Sequence, residues 1–445
     1  MPVQADDLLS TYRLAKAHDP ILQGAKEALL AAKEATPQAQ ALFLPTVNAT
    51  ANYTNNRLKA GGGGLGFDNT TGELQVQPPG TIHFGQNTYS LQLSQPVFYF
   101  EQWIHYAKAT ELVKKANATY AAAEQELIIR VVNRYFGVLK AIDALNFARA
   151  ERSSFSKFYE QSEQRFKAGL IAITDVQIAK AQHDNAYSNE IAAENELQNA
   201  KEQLREITGS PIEAFSFLRE NLILKSPEPE NLEQWVLTAL EQNFMLQASR
   251  FQIAVSRADI RINQAGYLPT LNINGAVNHS NSTSLETNNT LSNVGLQISI
   301  PIFSGGATRS KTKQAVHLYE QSQKQLETLH RQVESNTRQA FRGVLTQISQ
   351  AAALKQAIVS NESALEATSA SFKVGTRTIV DVLNSQSSLI QAKKNYANAR
   401  YDYIVKSMQL KQAAGTLSPE DIQHINAWLI DEQPKAQVDL LQNGG

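Results

Sequence analysis

Two copies of one supersecondary unit account for nearly the whole of this chain. Leu44-Pro45-Thr46 returns as Leu268-Pro269-Thr270, Pro96-Val97-Phe98 as Pro301-Ile302-Phe303, Gly137-Val138-Leu139 as Gly343-Val344-Leu345, and Phe166-Lys167-Ala168-Gly169 as Phe372-Lys373-Val374-Gly375. The offset between copies is steady at about 206 residues over the later landmarks and about nineteen residues larger at the first, so copy one carries an insertion, which in a repeat maps to a loop. We read residues 1–213 as the first structural repeat, 214–226 as a connection, 227–416 as the second repeat, and 417–445 as a C-terminal segment and tail. The stretch from about Ile430 to Asn443-Gly444-Gly445 reads as mobile.

No Pro/Ser-rich linker separates the halves, so the 445 residues read as one elongated body. Abundant Ala, Gln, Asn and Ser suit long helices packed through small side chains. The formal net charge is -1 with no strongly basic run, which argues against nucleic acid, because phosphate binding needs a concentrated cationic face. The absence of cysteine excludes disulfides, thiolate nucleophiles and thiolate metal sites. Met1 leads into Pro2-Val3-Gln4 without a charged or apolar leader, so the chain reads either as cytoplasmic or as a mature form, and we favour the mature form. No run of eighteen apolar residues is present; a membrane-spanning helix is not expected, whereas a β-barrel stays open.

Strict alternation marks four strands. Val47, Ala49, Ala51 and Tyr53 alternate with Thr46, Asn48, Thr50 and Asn52, and Tyr89, Leu91 and Leu93 with Ser90, Gln92 and Ser94. Copy two repeats this with Leu271, Ile273 and Val277 against Asn272, Asn274 and Asn278, then with Val294, Leu296, Ile298 and Ile300 against Asn293, Gln297 and Ser299. The polar partners are uncharged, which fits a barrel with lipid outside and water inside better than a sheet facing water. Four strands cannot close a barrel, since about eight is the usual minimum, so several chains must pool theirs. Between the first two strands, the segment from about Asn55 to Gln86, with Gly61-Gly62-Gly63-Gly64 and Pro78-Pro79, reads as a long flexible loop.

A helix is expected from about Thr308 to Lys373, with Val344, Ala351, Ile358, Leu365 and Phe372 recurring every seven residues as a coiled-coil seam. Val138, Leu145, Tyr159 and Phe166 hold the equivalent steps of copy one, with Arg152 interrupting. Such helices need neighbours, expected from about Asp175 to Ile207 and Asp381 to Ala414 and from other chains. Gly169 and Gly375 fit left-handed helix ends, so each copy closes in a helical hairpin. Pro45 and Pro269 mark helix-to-strand changes, and Pro96 and Pro301 strand-to-helix changes.

No catalytic constellation is visible. The eight histidines form no His-x-x-x-His pair, and no nucleophile elbow, Walker loop or dinucleotide fingerprint occurs, so we expect neither an enzyme nor a cofactor or metal site. Asp175 and Asp381 each stand six residues after a hairpin glycine. A carboxylate in a first helical turn complements the dipole, Thr378-Ile379-Val380-Asp381 fits a capping box, Thr174 fits an N-cap, and Arg377 fits a solvated cation; on the residues alone these structural roles stand beside functional ones.

Arg165-Phe166-Lys167-Ala168-Gly169-Leu170-Ile171-Ala172-Ile173-Thr174-Asp175-Val176, Val374-Gly375-Thr376-Arg377-Thr378-Ile379-Val380-Asp381-Val382-Leu383 and Asn398-Ala399-Arg400-Tyr401, with Gln95-Pro96-Val97-Phe98 and Ile207-Thr208-Gly209, resemble the TolC-like outer-membrane channels of Gram-negative bacteria. The likeness extends through about Asn426 and is strongest to the TolC branch. It implies an α+β membrane protein: a homotrimer in which each chain gives four strands to one twelve-stranded barrel, continued by long coiled coils forming a periplasmic α-barrel. It further implies an outer-membrane location with contact to outer-membrane lipid, an exit duct for drug efflux or type I secretion, a periplasmic adaptor, and an inner-membrane RND or ABC transporter as partner.

The resemblance also implies a periplasmic gate at Thr174, Asp175, Phe372 and Arg377, with Arg377 pairing to Asp175 or Thr174. Where the TolC branch typically has a tyrosine, this chain has Phe372. One hydrogen bond worth about 0.5–1.5 kcal/mol is thereby missing, and an easier gate is expected. Asp381 matches a constricting acidic ring, and Asn384 takes the place of a second, which implies weaker cation selectivity; crowding of like charges is expected to raise the ring's apparent pKa. Gly169 and Gly375 become the tips where adaptor hairpins dock. The rival reading from the residues is a trimeric structural or adhesive stalk with a β head.

Overall fold

Helix, strand, strand, long helix, helix is the order in both copies. The structure, a computed structural model, describes residues 7–60, 65–67, 74–76, 80–219, 221–282 and 287–431. Helices α1 (Leu8–His18), α2 (Pro20–Lys33) and α3 (Ala35–Ala41) lead into β1 (Thr46–Ala60). Short strands β2 (Leu65–Phe67) and β3 (Leu74–Val76) precede β4 (Gly80–Phe98), α4 (Phe100–Lys167) and α5 (Ile173–Thr208). After β5 (Phe217–Leu218), copy two runs α6 (Leu232–Gln242), α7 (Phe244–Ala265), β6 (Thr270–Ser282), β7 (Thr287–Ser299), α8 (Ala307–Lys373) and α9 (Ile379–Ala414), followed by α10 (Pro419–Asn426) and β8 (Leu429–Ile430).

The chain divides into two compact units. One, Ala31–Val113 with Phe251–Gln323, contains an antiparallel sheet in the order β1-β4-β6-β7. Twin strands therefore alternate across it, with β1 and β7 at its edges. The loop expected from Asn55 to Gln86 is largely strand: β1 and β4 pair without a register shift from Thr46↔Ser94 to Ala60↔Gly80, and β2 pairs with β3 beyond them. Each added ladder step satisfies backbone donors and acceptors, and Ile82, Phe84 and the β-branched Thr81 favour extended backbone. The inserted residues thus lengthen a hairpin. Gly61–Gly64 and Pro78–Pro79 lie outside the described residues, as does the tail beyond 431, although Ile430 itself is paired in β8 with Phe217. Pro96 lies within β4, at the register irregularity between Pro96↔Asn272 and Phe98↔Leu271, where a residue lacking an N–H donor is tolerated.

The other unit, Met1–Leu30 with Lys114–Arg250 and Lys324–Gly445, is mainly helical. Its core gathers Tyr135, Phe136, Phe215 and Tyr401, with Leu8, Leu127, Leu139, Leu204, Ile404 and Ile422 fully buried around them. Both tyrosine hydroxyls inside it are paired: that of Tyr401 donates to Asp143 Oδ2 at 2.8 Å, and that of Tyr135 donates to the Ser216 carbonyl and accepts the Ser216 N–H. Burial and the Asp143 carboxylate push the Tyr401 hydroxyl pKa well above its usual 10.0. Along α8 the seven-residue seam is present, with Val344 and Ala351 buried and Ile358, Leu365 and Phe372 half-buried. In α4, Phe166 departs from its expected place and is 41% exposed. Arg152, which breaks that seam in the sequence, ties α4 to α5 instead: Nη1 donates to Glu190 Oε2 at 2.9 Å and the guanidinium stacks over Tyr187.

Candidate pore wall and gate

Alternation across an unbroken register gives the sheet two chemically different faces. One carries Val47, Leu91, Leu93, Val277, Val294, Leu296 and Ile298, all exposed. The other carries a hydrogen-bonded polar ladder across three strands: Asn272 Nδ2 donates to Ser94 Oγ at 2.8 Å, Ser94 Oγ to Asn274 Oδ1 at 3.2 Å, and Asn274 Nδ2 to Gln297 Oε1 at 2.9 Å. Exposed apolar rows of this extent on the face opposite a hydrogen-bonded polar ladder are the pattern of a wall between lipid and water. Among the described residues the outer sides of β1 and β7 carry no ladder partner in this sheet, so two edges stand open.

Both hairpin tips close alike. Gly169 (φ +73°) and Gly375 (φ +80°) are left-handed; the Gly169 and Leu170 N–H groups bond the Phe166 and Arg165 carbonyls at 2.8 and 2.9 Å, and the Gly375 and Thr376 N–H groups bond those of Phe372 and Ser371 at 3.1 and 3.0 Å. An added Cβ at either glycine meets no atom within 4 Å.

The helices that follow begin differently. Thr378 caps α9 in a full capping box: its backbone N–H and its hydroxyl each donate to Asp381 Oδ2 at 2.9 Å, and the Asp381 N–H donates back to Thr378 Oγ1 at 3.3 Å. These bonds, with the Arg377 charge, hold the Asp381 carboxyl below its usual 3.8 in the single chain. In α5 the equivalent N-cap is Ala172, which cannot cap through its side chain. Thr174, expected as an N-cap, is instead the second helical residue and is exposed, because the boundary lies two residues earlier. Asp175 is half-buried in the first turn and, among the described residues, has no side-chain partner.

Arg377 is 62% exposed, and its Nη1 lies 3.9 Å from Asp381 Oδ1; within the chain it pairs with neither Asp175 nor Thr174. Asn384 is exposed one turn beyond Asp381. Phe372 packs against a small core of Phe155, Ala179, Ala186, Ile379 and Leu383, which joins the two hairpins. The residue that sequence reasoning missed is Arg165, whose guanidinium carbon lies 4.3 Å from the centre of the Phe372 ring. Its twin position is Ser371, so the duplication carried no hint of the contact.

Comparison with known proteins agrees with this geometry. The outer membrane efflux protein family matches residues 11–210 and 235–416. Outer membrane protein TolC of Vibrio cholerae is 38% identical over 433 residues, covering 96% of this chain and 94% of the relative. Alkaline protease secretion protein AprF of Pseudomonas aeruginosa is 27% identical over 435 residues, covering 97% of this chain and 89% of the relative. The crystal structure of the CmeC outer membrane channel of Campylobacter jejuni shares the fold at a TM-score of 0.76 with 17% identity, over 95% of this chain and 89% of that one. With both repeats matched and the landmarks of both present, the chain belongs to the outer membrane efflux protein family.

Proposed function

We propose that this chain forms a passive exit duct through the outer membrane, serving efflux and type I secretion. The observation that carries the reading is the sheet: one face apolar and exposed, the other a polar ladder, and two edges open to pairing. Three copies, joining β7 of one to β1 of the next, would close twelve strands around a water-filled lumen, each chain supplying a third of the wall and each repeat, 1–213 and 227–416, two of its strands. The relatives named for protease secretion and for TolC support the export role. A duct of this kind draws its energy elsewhere, so a periplasmic adaptor docking at Gly169 and Gly375 and an inner-membrane RND or ABC transporter are its partners.

The gate lies at the hairpin tips. Arg377, exposed and only loosely held by Asp381, reaches Asp175 or Thr174 of a neighbouring copy, and Asp175 has no partner in its own chain to compete. Asp381 lines the throat as a single ring of three carboxylates, with Asn384 beyond it. Planar-bilayer recording of the cross-linked, detergent-purified protein tests this: Arg377→Ser raises conductance and Asp381→Ala lowers cation preference. A monomer that needs no detergent, or currents unchanged in both variants, defeats the assignment.

A further inference from the structure

The sheet contains only two residues of fixed charge, and both stand at one end of its lipid-facing side. Across β1, β4, β6 and β7 no Asp or Glu occurs, and the sole Lys and Arg residues are Arg57 and Lys59. The β1–β4 register runs without a bulge from Thr46↔Ser94 to Ala60↔Gly80, so parity holds along β1 and Arg57 and Lys59 share the face of Val47, Ala49, Ala51 and Tyr53. Both are exposed, and neither makes an ion pair among the described residues. His83 stands opposite Arg57 on the same face.

Height along the strand fixes what these cations meet. Over the ten residues from Val47 to Arg57 the face changes character: Ala49, Ala51 and Tyr53 continue the apolar row and Asn55 ends it. Exposed Tyr53 and Tyr89 lie between, the latter stacked on His279 with ring centroids 6.3 Å apart. Amphipathic rings of this kind seat at the headgroup level. Arg57 and Lys59 lie four and six residues past Tyr53, about 13 and 20 Å further along the strand and beyond the aromatic level, at the hairpin end of the sheet and away from the junctions with α3, α4, α7 and α8. Two exposed cations on this face, with no carboxylate in the four strands beside them, suit an anionic headgroup.

We propose that Arg57 and Lys59 form a binding site for the phosphate groups of a phosphorylated glycolipid in the leaflet at the hairpin end. The Arg57 guanidinium offers a planar fork that matches two phosphate oxygens, Lys59 adds a point charge two residues further, and the stacked Tyr89 and His279 rings support the acyl–headgroup boundary beneath. The inference rests on the lipid-facing reading of the sheet and is independent of the gate.

The test uses the full-length protein in detergent with lipid A, a bisphosphorylated glucosamine disaccharide, as probe, its dephosphorylated form as control, and native mass spectrometry as readout. Arg57→Gln and Lys59→Gln each weaken binding about fivefold and the pair about 25-fold, while Arg57→Lys retains part of it. Lys311→Gln with Lys313→Gln, exposed cations on α8, leaves it unchanged. Equal affinity for the dephosphorylated lipid, full binding by the double Gln variant, or an equal loss in the α8 variant overturns the site. Conductance measured in parallel separates the two readings: the double Gln variant still conducts, so loss of the glycolipid alone leaves the duct intact.

Discussion

The guanidinium of Arg165, on the last turn of α4, lies over the ring of Phe372 on the last turn of α8, with its carbon 4.3 Å from the ring centre. One hairpin thereby grips the other at the place where the duct is proposed to close. Phe372 has no hydroxyl to bond across a gate, but its ring face is free to attract a cation, so a non-directional contact takes over part of what a hydrogen bond would do.

Removing either half of that contact loosens the tips. A cation–π pair at a partly exposed site is worth about 0.5–1 kcal/mol, so Arg165→Gln raises the ratio of open to closed time in single-channel recordings about two- to fivefold. Phe372→Tyr keeps the stacking and restores a hydroxyl, and lowers that ratio. A double-mutant cycle with Phe372→Leu isolates the pair; a coupling of zero would mean that the groups adjoin without interacting.

At the proposed throat, the capping box opposes the repulsion expected within an acidic ring. Hydrogen bonds from Thr378 hold Asp381 below 3.8 in the single chain, so the charged form is favoured before its neighbours act on it. For a carboxyl whose folded pKa is depressed, the stabilisation of the start of α9 is complete above the unfolded value near 3.8 and is lost as pH falls through the lower folded value. Thr378→Val removes the hydroxyl donor and the acceptor for the Asp381 N–H. The pH midpoint of cation selectivity in bilayers then moves upward, and Asp381→Asn abolishes that titration; a midpoint unmoved by Thr378→Val would show that the ring, and not the cap, sets the charge.

Local chemistry made the fold readable. Alternation of apolar with uncharged polar residues gave all four strands and the character of both faces, and glycines after seven-residue seams gave both hairpins. The reading failed where local composition conflicted with pairing: glycines and prolines suggested a loop from Asn55 to Gln86, yet the ladder from Asn55↔Gly85 to Ala60↔Gly80 continues because each rung satisfies backbone groups that a loop would leave to water. Thr174 was a plausible cap by type, but the helix starts two residues before it, at a position whose twin is Thr378 and which here is Ala172. Arg165 was invisible because its contact joins two hairpins, and the register of one hairpin against another is written in neither. The gate partners proposed for Arg377 belong to the same class, since they would lie on neighbouring copies.

A buried ion pair anchors the N-terminal helices. Asp19 is 1% exposed, accepts N–H bonds from Ile21 and Leu22 at the start of α2, and pairs with Arg130 of α4. Arg130→Ala leaves that carboxylate uncompensated in the interior and costs about 3–5 kcal/mol, seen as a lowered urea midpoint. Asp19→Asn combined with Arg130→Met keeps an acceptor for both N–H groups and removes both charges, and recovers most of the loss. A double variant as unstable as Arg130→Ala would show that packing of the Arg130 stem, not its charge, was the missing term.

Gly169, Gly375 and Gly415 end helices in the same left-handed conformation, yet they will not respond alike to a methyl group. Gly415 (φ +77°) caps α9, and a Cβ there would lie 2.5 Å from the Gln242 carbonyl oxygen and 2.8 Å from Asn243 Cα, both backbone atoms that cannot swing aside. Gly415→Ala therefore combines about 1 kcal/mol of conformational strain with an overpacking cost of about 1–3 kcal/mol. Gly169 and Gly375 have open space where the methyl would go, so Gly169→Ala and Gly375→Ala carry the strain alone and lower the melting temperature less. That difference makes the tip glycines usable as a probe of docking. If the adaptor seats on them, a methyl on an otherwise vacant surface blocks the approach, and export falls far more than the small stability loss explains; Gly415→Ala, which destabilises more, reduces export only in proportion to the folded protein remaining. Export by the tip variants that tracks their melting temperatures would remove Gly169 and Gly375 from the docking surface.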